Sequence, residues 1–547
     1  MTKLDMTPGA QIPRTDVGPQ TAVTQLLSSA AYRDNPVEAL EGVGGVTVKK
    51  GRFYELFRPS VGEAFSRAVI DRTLRPARLP LVPSFGTDTR MVVEHCLAAE
   101  ELRRVRDQQL TLVTLLTGLL FLPGALVWLG AFQLRAYLQR TSPSREAVYN
   151  TLVVLVVGAL AVLLAVRPPF SGLLAVYFRV TMLMPVVGWF IAKRICLRSV
   201  QGLRDRWGGL VDGSALAAIV PKAVPRDDMD KKAGELKAQL DRLTAEQETN
   251  IQHYAGSKGI LGAGMRWGVW EVVEDLRPAE GHADFRAFHP WDLTRRITGC
   301  LGGLDKSEVA GAGMPHVAVQ QWVVVDIPEG ADEIGRPGGA DMDGYRMRDF
   351  SIQQIANRQS LGTDTRHRLA TQLVLHNGQL VSTLLISVTV LSHTLRVSVA
   401  GYALGPLNGL FGAKPKPKEK NVPKTGKFWE ERTIQLPLVD NDEVVRQAVR
   451  APFAGMPTLL TWLGGSIKLP EPFSLRASWA EPTWKSRFKA DDVIYGATPV
   501  VNAVLAATVE FLEEHDINVD RFTSRAGILK SEMQGVRAFK ADNYDAG

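Results

Sequence analysis

A glycine-rich segment from Gly256 to Gly264 is the part of the chain that comes closest to a phosphate-binding loop. Such a loop binds an anion when it joins a strand to a helix, because its backbone N–H groups and the helix N-terminus then converge on one point. The residues that follow, 265–275, are rich in Val and Trp and predict a strand, and the order Gly-Lys-Ser/Thr is absent. The sequence therefore favours a structural loop. The candidates for ligand contacts in it are Tyr254, Gly256, Gly262 and Gly264.

The histidines give little support for catalysis or for a metal centre. All nine are scattered, and neither HExxH nor HxxxH occurs. His289 alone has a carboxylate close by in the sequence, at Asp292, and this pair predicts a contact at the start of a helix rather than an acid–base pair. We predict no metal ion and no other cofactor.

Two short motifs match those of penicillin-binding enzymes, since Ser486–Lys489 fits SxxK and Lys424–Gly426 fits KTG. Their order along the chain is reversed from that family's, SxN is missing, and the KTG motif lies in a lysine-rich segment. We interpret both matches as coincidence. An enzyme with a site near the glycine-rich loop, together with His289 and Asp292, is the alternative to a non-catalytic function.

Apolar stretches at residues 108–134, 147–166 and 171–192 predict an integral membrane protein. A helix needs about 20 apolar residues to cross about 30 Å of hydrocarbon, and each stretch reaches that length. Arg or Lys residues flank all of them. A buried helix of a soluble core would explain any single stretch, but their close spacing disfavours that interpretation.

Arg179 is the one charge inside an apolar stretch. In a transporter subunit such a charge would mark the path of an ion or a substrate. Alternatively, the side chain extends to a lipid headgroup or pairs with a neighbouring helix. We favour the second interpretation, because two or three helices cannot enclose a conduit without oligomerisation.

The positions of the cations predict the topology, because the inner side of a membrane protein carries more Lys and Arg. Three spans with residues 1–109 outside satisfy this rule. A second solution uses Leu122-Pro123-Gly124, since proline breaks a helix and glycine permits a tight turn. The first stretch then forms a hairpin, and Arg167 alone among the flanking cations lies outside. Both solutions predict a multi-pass protein of the inner (plasma) membrane with a cytoplasmic C-terminal region.

The charge of the chain predicts contact with anionic lipid. The net charge is +7 and the isoelectric point is about 9.2, with much of the excess at the helix flanks and in residues 414–427. This lysine-rich segment predicts an exposed loop, and inner-leaflet lipid attracts such cations. No motif of a nucleic-acid-binding protein occurs. The expected partners are the bilayer and an unidentified cytoplasmic protein.

The composition divides the chain into regions of different character. The N-terminal arm is rich in Pro, Gly and Thr, which is typical of disorder, and the C-terminal region mixes helix and strand patterns. The predicted regions are a disordered arm (1–50), a small helical region (51–107), the membrane region (108–192), a juxtamembrane connector (193–250) and a cytoplasmic α+β domain with a mostly antiparallel sheet (251–547).

Local signals within the last region predict individual elements. Strands are expected at residues 265–275 and 316–327, and a type I′ turn at Asn377-Gly378 predicts a hairpin. Helices are expected to begin after Asp440 and at Thr498-Pro499. The second of these should pack on the sheet through residues that share one face: Val501, Val504, Leu505 and Leu512.

The chain resembles a group of uncharacterised actinobacterial multi-pass membrane proteins. The resemblance rests on Tyr254-Ala-Gly256, Gly262-Ala-Gly264, Trp267 and Trp270, and on the apolar sequences FLPGALVWLGAFQLRA and PVVGWFIAKRIC. It covers roughly residues 100–400 and departs at Ser257–Ile260, in the centre of the motif. That group has no assigned activity, so the resemblance implies a membrane architecture and supplies no site residues.

These observations together predict a membrane-anchored binding or scaffold module rather than an enzyme. The apolar stretches and flanking cations predict a large domain held at the inner leaflet, and no catalytic constellation is visible. A membrane-bound enzyme and a transporter subunit centred on Arg179 are the alternatives.

Overall fold

The fold is described from a computed structural model, which carries both backbone and side chains over most of the chain. It describes residues 20–75, 78–130, 156–163, 166–167, 171–213, 231–304, 314–328, 340–358, 362–417, 437–481 and 486–535, and the backbone of short paired strands at 4–5, 8–11, 219–221, 224–225, 419–424 and 427–435.

Helices and strands are mixed along the whole chain. The helices are α1 Ala22–Ala30, α2 Tyr54–Phe57, α3 Val61–Leu74, α4 Thr89–Thr114, α5 Leu122–Gly130, α6 at residues 156–163, α7 Leu173–Asp212, α8 Lys231–Gln247, α9 Pro290–Leu301, α10 Asp349–Arg358, α11 Gly409–Gly412, α12 Asn441–Arg450, α13 Pro457–Gly464, α14 Arg487–Glu514 and α15 Asp520–Gly535. The strands are β1 Leu4–Asp5, β2 Pro8–Gln11, β3 Thr47–Lys49, β4 Ile219–Pro221, β5 Val224–Pro225, β6 Ile251–Tyr254, β7 Met265–Asp275, β8 Val317–Asp326, β9 Met342–Asp343, β10 Arg346–Met347, β11 Thr365–Leu375, β12 Leu380–Leu391, β13 Thr394–Leu404, β14 Glu419–Lys424, β15 Lys427–Gln435 and β16 Ser466–Lys468.

A six-stranded sheet organises the C-terminal half, with the order β6-β8-β11-β12-β13-β7. Its neighbours pair antiparallel, except for β6 and β8, so the predicted mostly antiparallel sheet is confirmed. The hairpin at Asn377-Gly378 joins β11 to β12, with Leu375 opposite Leu380. The turn differs from type I′, because positive φ angles extend over His376, Asn377 and Gly378 and the loop comprises residues 376–379.

The two faces of this sheet are covered by different elements. Leu384 and Ile386 of β12 face α9, α14 and α15, whereas Leu385 between them packs with Trp322 on the other face. Because β12 lies in the middle of the sheet and is buried on both faces, it has the continuous apolar sequence of a buried strand.

Helix α14 packs on the sheet through the residues that its spacing predicts. Val501 and Val504 are fully buried, and Leu505 and Leu512 are 3% and 2% exposed. The predicted start at Thr498-Pro499 is wrong, because α14 begins at Arg487 and Pro499 lies inside it. Ala490, Val493 and Ala497, which precede Pro499 in the helix, are buried. Their packing explains the earlier start of α14, because it outweighs the hydrogen bond that proline removes.

A second core lies among α1, α3, α4, α7 and α8. Leu27, Tyr32 and Val37 are fully buried in it. The prediction of a disordered arm over residues 1–50 is therefore wrong from residue 20 onward, while residues 12–19 lie outside the described part. The composition does not predict this order, because the apolar residues of α1 are few, although all of them face one core.

The boundary predicted at residue 251 does not separate two domains. Residues 407–411 and 467–479 return to the helical core, where the rings of Phe411 and Trp479 pack on Phe65. Nor are residues 193–250 only a connector. Helix α7 continues to Asp212 with Trp207 buried, and α8 buries Leu240 and Leu243 in the same core.

The lysine-rich segment is only partly the loop that its composition predicts. Residues 414–417 are mostly exposed, and Lys414 pairs with Asp212 at 2.6 Å. Beyond them β14 pairs antiparallel with β15, with Asn421 opposite Thr433. The β-branched and aromatic residues of β15 supply a partner strand that the composition of residues 414–427 does not reveal.

Helix α4 does not continue straight through the first apolar stretch. It passes through a π-helical turn at Leu115–Leu119, and the chain then bends by 102° into α5. The break lies at Leu120-Phe121, directly before Leu122-Pro123-Gly124, where the hairpin solution places its turn; these three residues instead form the first turn of α5. A Cβ atom on Gly124 would lie 1.9 Å from the carbonyl oxygen of Thr181, so α5 packs directly against α7.

Two helices in the described part of the chain, α7 and α14, are long and apolar enough to span a membrane, and the bent pair of α4 and α5 is a third candidate. Since α14 is a core helix of the sheet, the exposed apolar surface belongs to α4–α7. Leu119 on the π-helical turn is 64% exposed, and Phe190 of α7 is 61% exposed. Residues 131–134 of the first apolar stretch, and 147–155 and 164–165 of the second, lie outside the described residues.

A buried histidine makes the stability of the helical core depend on pH. His95 is 3% exposed and shares a hydrogen bond of 2.9 Å with the Tyr32 hydroxyl. Burial, helped by Arg206, lowers the pKa of His95 to about 3. Because this folded-state pKa lies below the unfolded value of about 6.5, the stabilisation is present above pH 6.5 and is lost as the pH falls toward 3.

We predict that acidification from pH 7 to pH 5 costs the wild-type protein about 2 kcal/mol through His95 alone. The thermal midpoint of His95→Gln in detergent should therefore fall less over this range than that of the wild type. The exposed His282 provides the control, and His282→Gln should keep the wild-type slope. Equal slopes for all three proteins would contradict the prediction.

Candidate functional site

The glycine-rich loop is held between strands β6 and β7 by its own backbone. Ala255 N–H donates to the Gly259 carbonyl and Leu261 N–H to the His253 carbonyl, each at 2.9 Å. Ile260 and Ala263 are buried with Trp322 and Tyr402 on one face of the sheet. The following element is the predicted strand β7, so the loop does not lead into a helix N-terminus as a phosphate-binding loop does.

Glycine is required in this loop by close contacts and by backbone angles. A Cβ atom on Gly264 would lie 2.1 Å from the carbonyl oxygen of Ala403, and one on Gly262 would lie 2.7 Å from that of Pro83. Both residues have positive φ angles, +88° and +84°. These contacts assign Gly262 and Gly264 a structural role, while Gly256 and the half-exposed Tyr254 lie at the edge of the sheet.

His289 and Asp292 form the start of helix α9. The backbone N–H of His289 donates to the Asp292 carboxylate at 2.9 Å, and the two residues make a reciprocal capping box. Helix α9 packs on the face of the sheet that carries Leu384, opposite the face that carries the glycine-rich loop. The structure therefore does not bring this pair together with the loop.

Arg179 lies in the apolar half of α7, and its side chain is exposed. In the described part of the chain, no group of three or more His, Cys, Asp or Glu residues has the geometry to hold a metal ion.

A charged cavity of about 430 Å³ lies between α3, α4 and α8, close to the turn after α12. Its wall carries cationic and anionic side chains together with a few apolar ones. The charged residues are Glu63, Arg67, Glu100, Glu101, Arg103, Arg104, Asp107 and Lys232.

Most carboxylates of the charged cavity already have a cationic partner. Glu63 accepts hydrogen bonds from Arg450, one of them at 2.6 Å, and Arg67 lies 2.6 Å from the same carboxylate. Burial alone would raise the pKa of Glu63, but the charges of Arg450 and Arg67 outweigh burial and hold that pKa well below its usual range. Glu63 is therefore a structural anion.

Glu101 and Asp107 are paired in the same way, at 2.6 Å from Arg104 and 2.7 Å from Arg106. Glu100 is different, because its carboxylate lies 4.0 Å from the Nε atom of Arg67, beyond hydrogen-bond distance. Burial raises the pKa of Glu100 above its ordinary value, although Arg67 and Arg103 oppose the shift.

The cavity is not among the sites predicted from the sequence, although the sequence contains two signals for it. Glu63 and Arg67 have the i, i+4 spacing of a helical ion pair, and both Glu100-Glu101 and Arg103-Arg104 directly precede the first apolar stretch. What the sequence does not reveal is the contact between Glu63 and Arg450, which are 387 residues apart along the chain.

An apolar cavity of about 520 Å³ lies beside the charged one, where α4, α5 and α7 meet α12. Its wall includes Thr117, Trp128, Gly188, Val445 and Ala448. The Thr114 hydroxyl donates to the Ala448 carbonyl at 3.3 Å, which fixes α12 beneath the apolar helices.

Residues 269–538 are similar to a known family, since the family model of the AbeC-like domain matches them. The match begins inside β7 and ends after α15, so it contains most of the sheet and leaves out α1–α8. The Tyr254–Gly264 part of the motif also lies outside it, so the resemblance drawn from that motif finds only this coarser support. No curated protein and no solved structure matches the chain.

A matched pair of glycine substitutions tests whether the loop is structural. Gly264 and Gly281 have nearly the same φ, +88° and +90°, but a Cβ atom on Gly281 would meet nothing within 4 Å. Gly281→Ala should cost about 1–2 kcal/mol for the positive φ alone. Gly264→Ala should lower the thermal midpoint much further, because the new methyl group collides with β13. Similar losses for the two variants would refute the structural role.

Proposed function

We propose that the chain is a multi-pass protein of the plasma membrane whose mixed α/β body acts as a binding module on the cytoplasmic face. One observation carries this proposal: α4 and α7 each run unbroken from the exposed apolar region into the buried core. In α4, Leu112 is 59% exposed while Val92 and Cys96 are fully buried. In α7, Phe190 is 61% exposed while Trp207 is 2% exposed.

Such continuous helices fix the body to the bilayer rather than tether it. A flexible linker would let the body rotate freely, whereas a helix that is packed at both ends transmits its orientation. Arg204 of α7 adds to the fixation, because its Nε lies 2.7 Å from the Asp34 carboxylate. The ligand sites of the body are therefore held at a defined distance from the lipid.

An aromatic edge of the body supports this orientation. We use this name for Phe53, Met456 and Trp462, which are 53%, 55% and 54% exposed, with Arg52 stacked over the Trp462 ring. The edge adjoins α12 through Phe453 and Phe57. Helix α12 in turn contacts Thr114 of the first apolar stretch. Aromatic side chains with a nearby cation are typical of the membrane–water interface.

The cations that follow the apolar half of α7 support a cytoplasmic location. Lys193, Arg194 and Arg198 lie there, together with Arg204, and Lys193 lies over the Trp189 ring at 4.9 Å. Clusters of cations beside an apolar helix favour the inner side and attract anionic lipid.

A binding role is favoured over catalysis because the candidate residues from the sequence have structural contacts. The loop glycines are occupied by backbone contacts, and His289 and Asp292 cap a helix. The cavities that remain lie beside the apolar helices, and most carboxylates of the charged one are held in ion pairs.

Cysteine labelling tests the topology. Phe488 is 80% exposed on the body, and Arg167 precedes α7 on the predicted outer side. In a Cys300→Ser background, a membrane-impermeant maleimide should label Arg167→Cys in intact cells and Phe488→Cys only after permeabilisation. Labelling of Phe488→Cys in intact cells would refute the cytoplasmic location. Cys96 and Cys196 are buried and should stay unlabelled, which the background protein alone verifies.

A depth measurement tests the aromatic edge. A spin label on Met456→Cys in lipid nanodiscs should collide more with oxygen than with a water-soluble nickel chelate, because it lies at the interface. The matched control is Phe350→Cys, which is 68% exposed on α10 and should show the opposite preference. Equal accessibility at the two sites would exclude this edge from the membrane surface.

A further inference from the structure

We infer that the apolar cavity between α4, α5, α7 and α12 binds an acyl chain of a membrane lipid. The inference rests on the proposed function, because it identifies a ligand for the cavity that lies where the body meets the apolar helices. The wall contains no charged side chain among the described residues. Its volume of about 520 Å³ is within the range of ligand pockets, roughly 300–1,000 Å³.

The polar side chains of the wall are already bonded within the protein. The Thr114 hydroxyl donates to a backbone carbonyl of α12 at 3.3 Å, and the Thr117 hydroxyl donates to the carbonyl four residues before it at 2.7 Å. The Asn441 side-chain oxygen accepts a hydrogen bond from the Lys193 ammonium at 3.5 Å. No described residue of the wall has a buried polar side-chain atom that lacks a hydrogen bond. A polar ligand would lose its hydrogen bonds to water without replacement, so the wall selects an apolar one.

Close contacts between the helices prevent the cavity from collapsing. Helices α4 and α7 meet at Gly188, where a Cβ atom would lie 2.2 Å from the Oγ1 atom of Thr117. Helices α5 and α7 meet at Gly124, where a Cβ atom would lie 1.9 Å from the Thr181 carbonyl oxygen. Because the helices already touch at both positions, they cannot move closer there to fill the space. Atoms that line an unfilled space lose packing contacts, and an apolar ligand of suitable size restores them.

The bilayer is the source of this ligand. Phe190 and Leu129 line the cavity and are also 61% and 38% exposed, so the cavity is continuous with the apolar surface that the proposed function places in hydrocarbon. An acyl chain can therefore enter it without crossing water. At the body side, the wall reaches the exposed Asn441 at the start of α12, and the ester groups of the lipid are expected at this polar end.

The test uses bromine on the acyl chain, which quenches the fluorescence of a tryptophan that it contacts. The full chain in maltoside detergent is titrated with phosphatidylcholine brominated on its acyl chains. Trp128 and Trp189 belong to the wall, so the fluorescence of the wild type should fall in a saturable manner. The double variant Trp128→Phe/Trp189→Phe should lose the saturable part, although the chain contains 11 tryptophans. Unbrominated phosphatidylcholine should compete for the site, whereas glycerophosphocholine, which lacks acyl chains, should not.

Variants that fill the cavity decide whether the lipid binds inside it. Ala448→Phe introduces a ring from α12 and should weaken the apparent affinity for the brominated lipid about tenfold or more, because the ring occupies space that the chain needs. Ala159→Phe is the matched control, because Ala159 is exposed on α6 outside the wall, and it should bind like the wild type. If Ala448→Phe does not fold, Val113→Phe fills the same cavity from α4. The detergent competes equally in every variant, so their affinities can be compared.

The inference would be overturned by the absence of saturable quenching in the wild type, by its retention in the double tryptophan variant, or by competition from glycerophosphocholine. Equal affinities of the filled variants and Ala159→Phe would overturn it as well. Failure of the lipid site is distinguishable from failure of the proposed function. The titration in detergent does not depend on which side of the membrane the body occupies, and the labelling of Arg167→Cys and Phe488→Cys does not require a bound lipid.

Discussion

The ion pair between Glu63 and Arg450 connects two distant parts of the chain close to the point where the apolar helices begin. Glu63 lies on α3 and Arg450 at the end of α12, and both are almost completely buried. Burial of two charges is repaid only by good geometry and additional hydrogen bonds, and loss of one partner of such a pair typically costs about 3–5 kcal/mol. Arg67 supplies a second contact to the same carboxylate. Without this pair, α12 would have an uncompensated charge against the helical core.

Helix α12 therefore has two neighbours of opposite character. Val445 and Ala448 face the apolar cavity under α4, α5 and α7, while Arg450 points to the charged cavity. Val444 is buried with Leu110 and Ala192, which join the same helix to the membrane-proximal parts of α4 and α7. One short helix thus determines how the body sits beneath the apolar helices. Its sequence suits that position, because residues such as Val445 line the apolar cavity while Arg446 and Arg450 form ion pairs.

The predictable part of this fold is the part in which neighbours in sequence are also neighbours in space. The Val and Trp content of β7 and β8, the turn at Asn377-Gly378 and the apolar face of Val501–Leu512 identify their elements because each is a local pattern. Pro499 shows the limit of this reasoning, because burial of residues from distant strands extends the helix through a residue that normally starts one. The return of Phe411 and Trp479 to Phe65 is likewise invisible locally, and so is the contact between Arg103 and Ala31.

The charged cavity is lined by residues on both sides of the boundary of the AbeC-like match. The matched residues 269–538 contain Arg450 and Ala454, whereas Glu63, Arg67 and Arg103 precede them. The cavity is thus built at the junction between the matched domain and the helical part that carries the apolar helices.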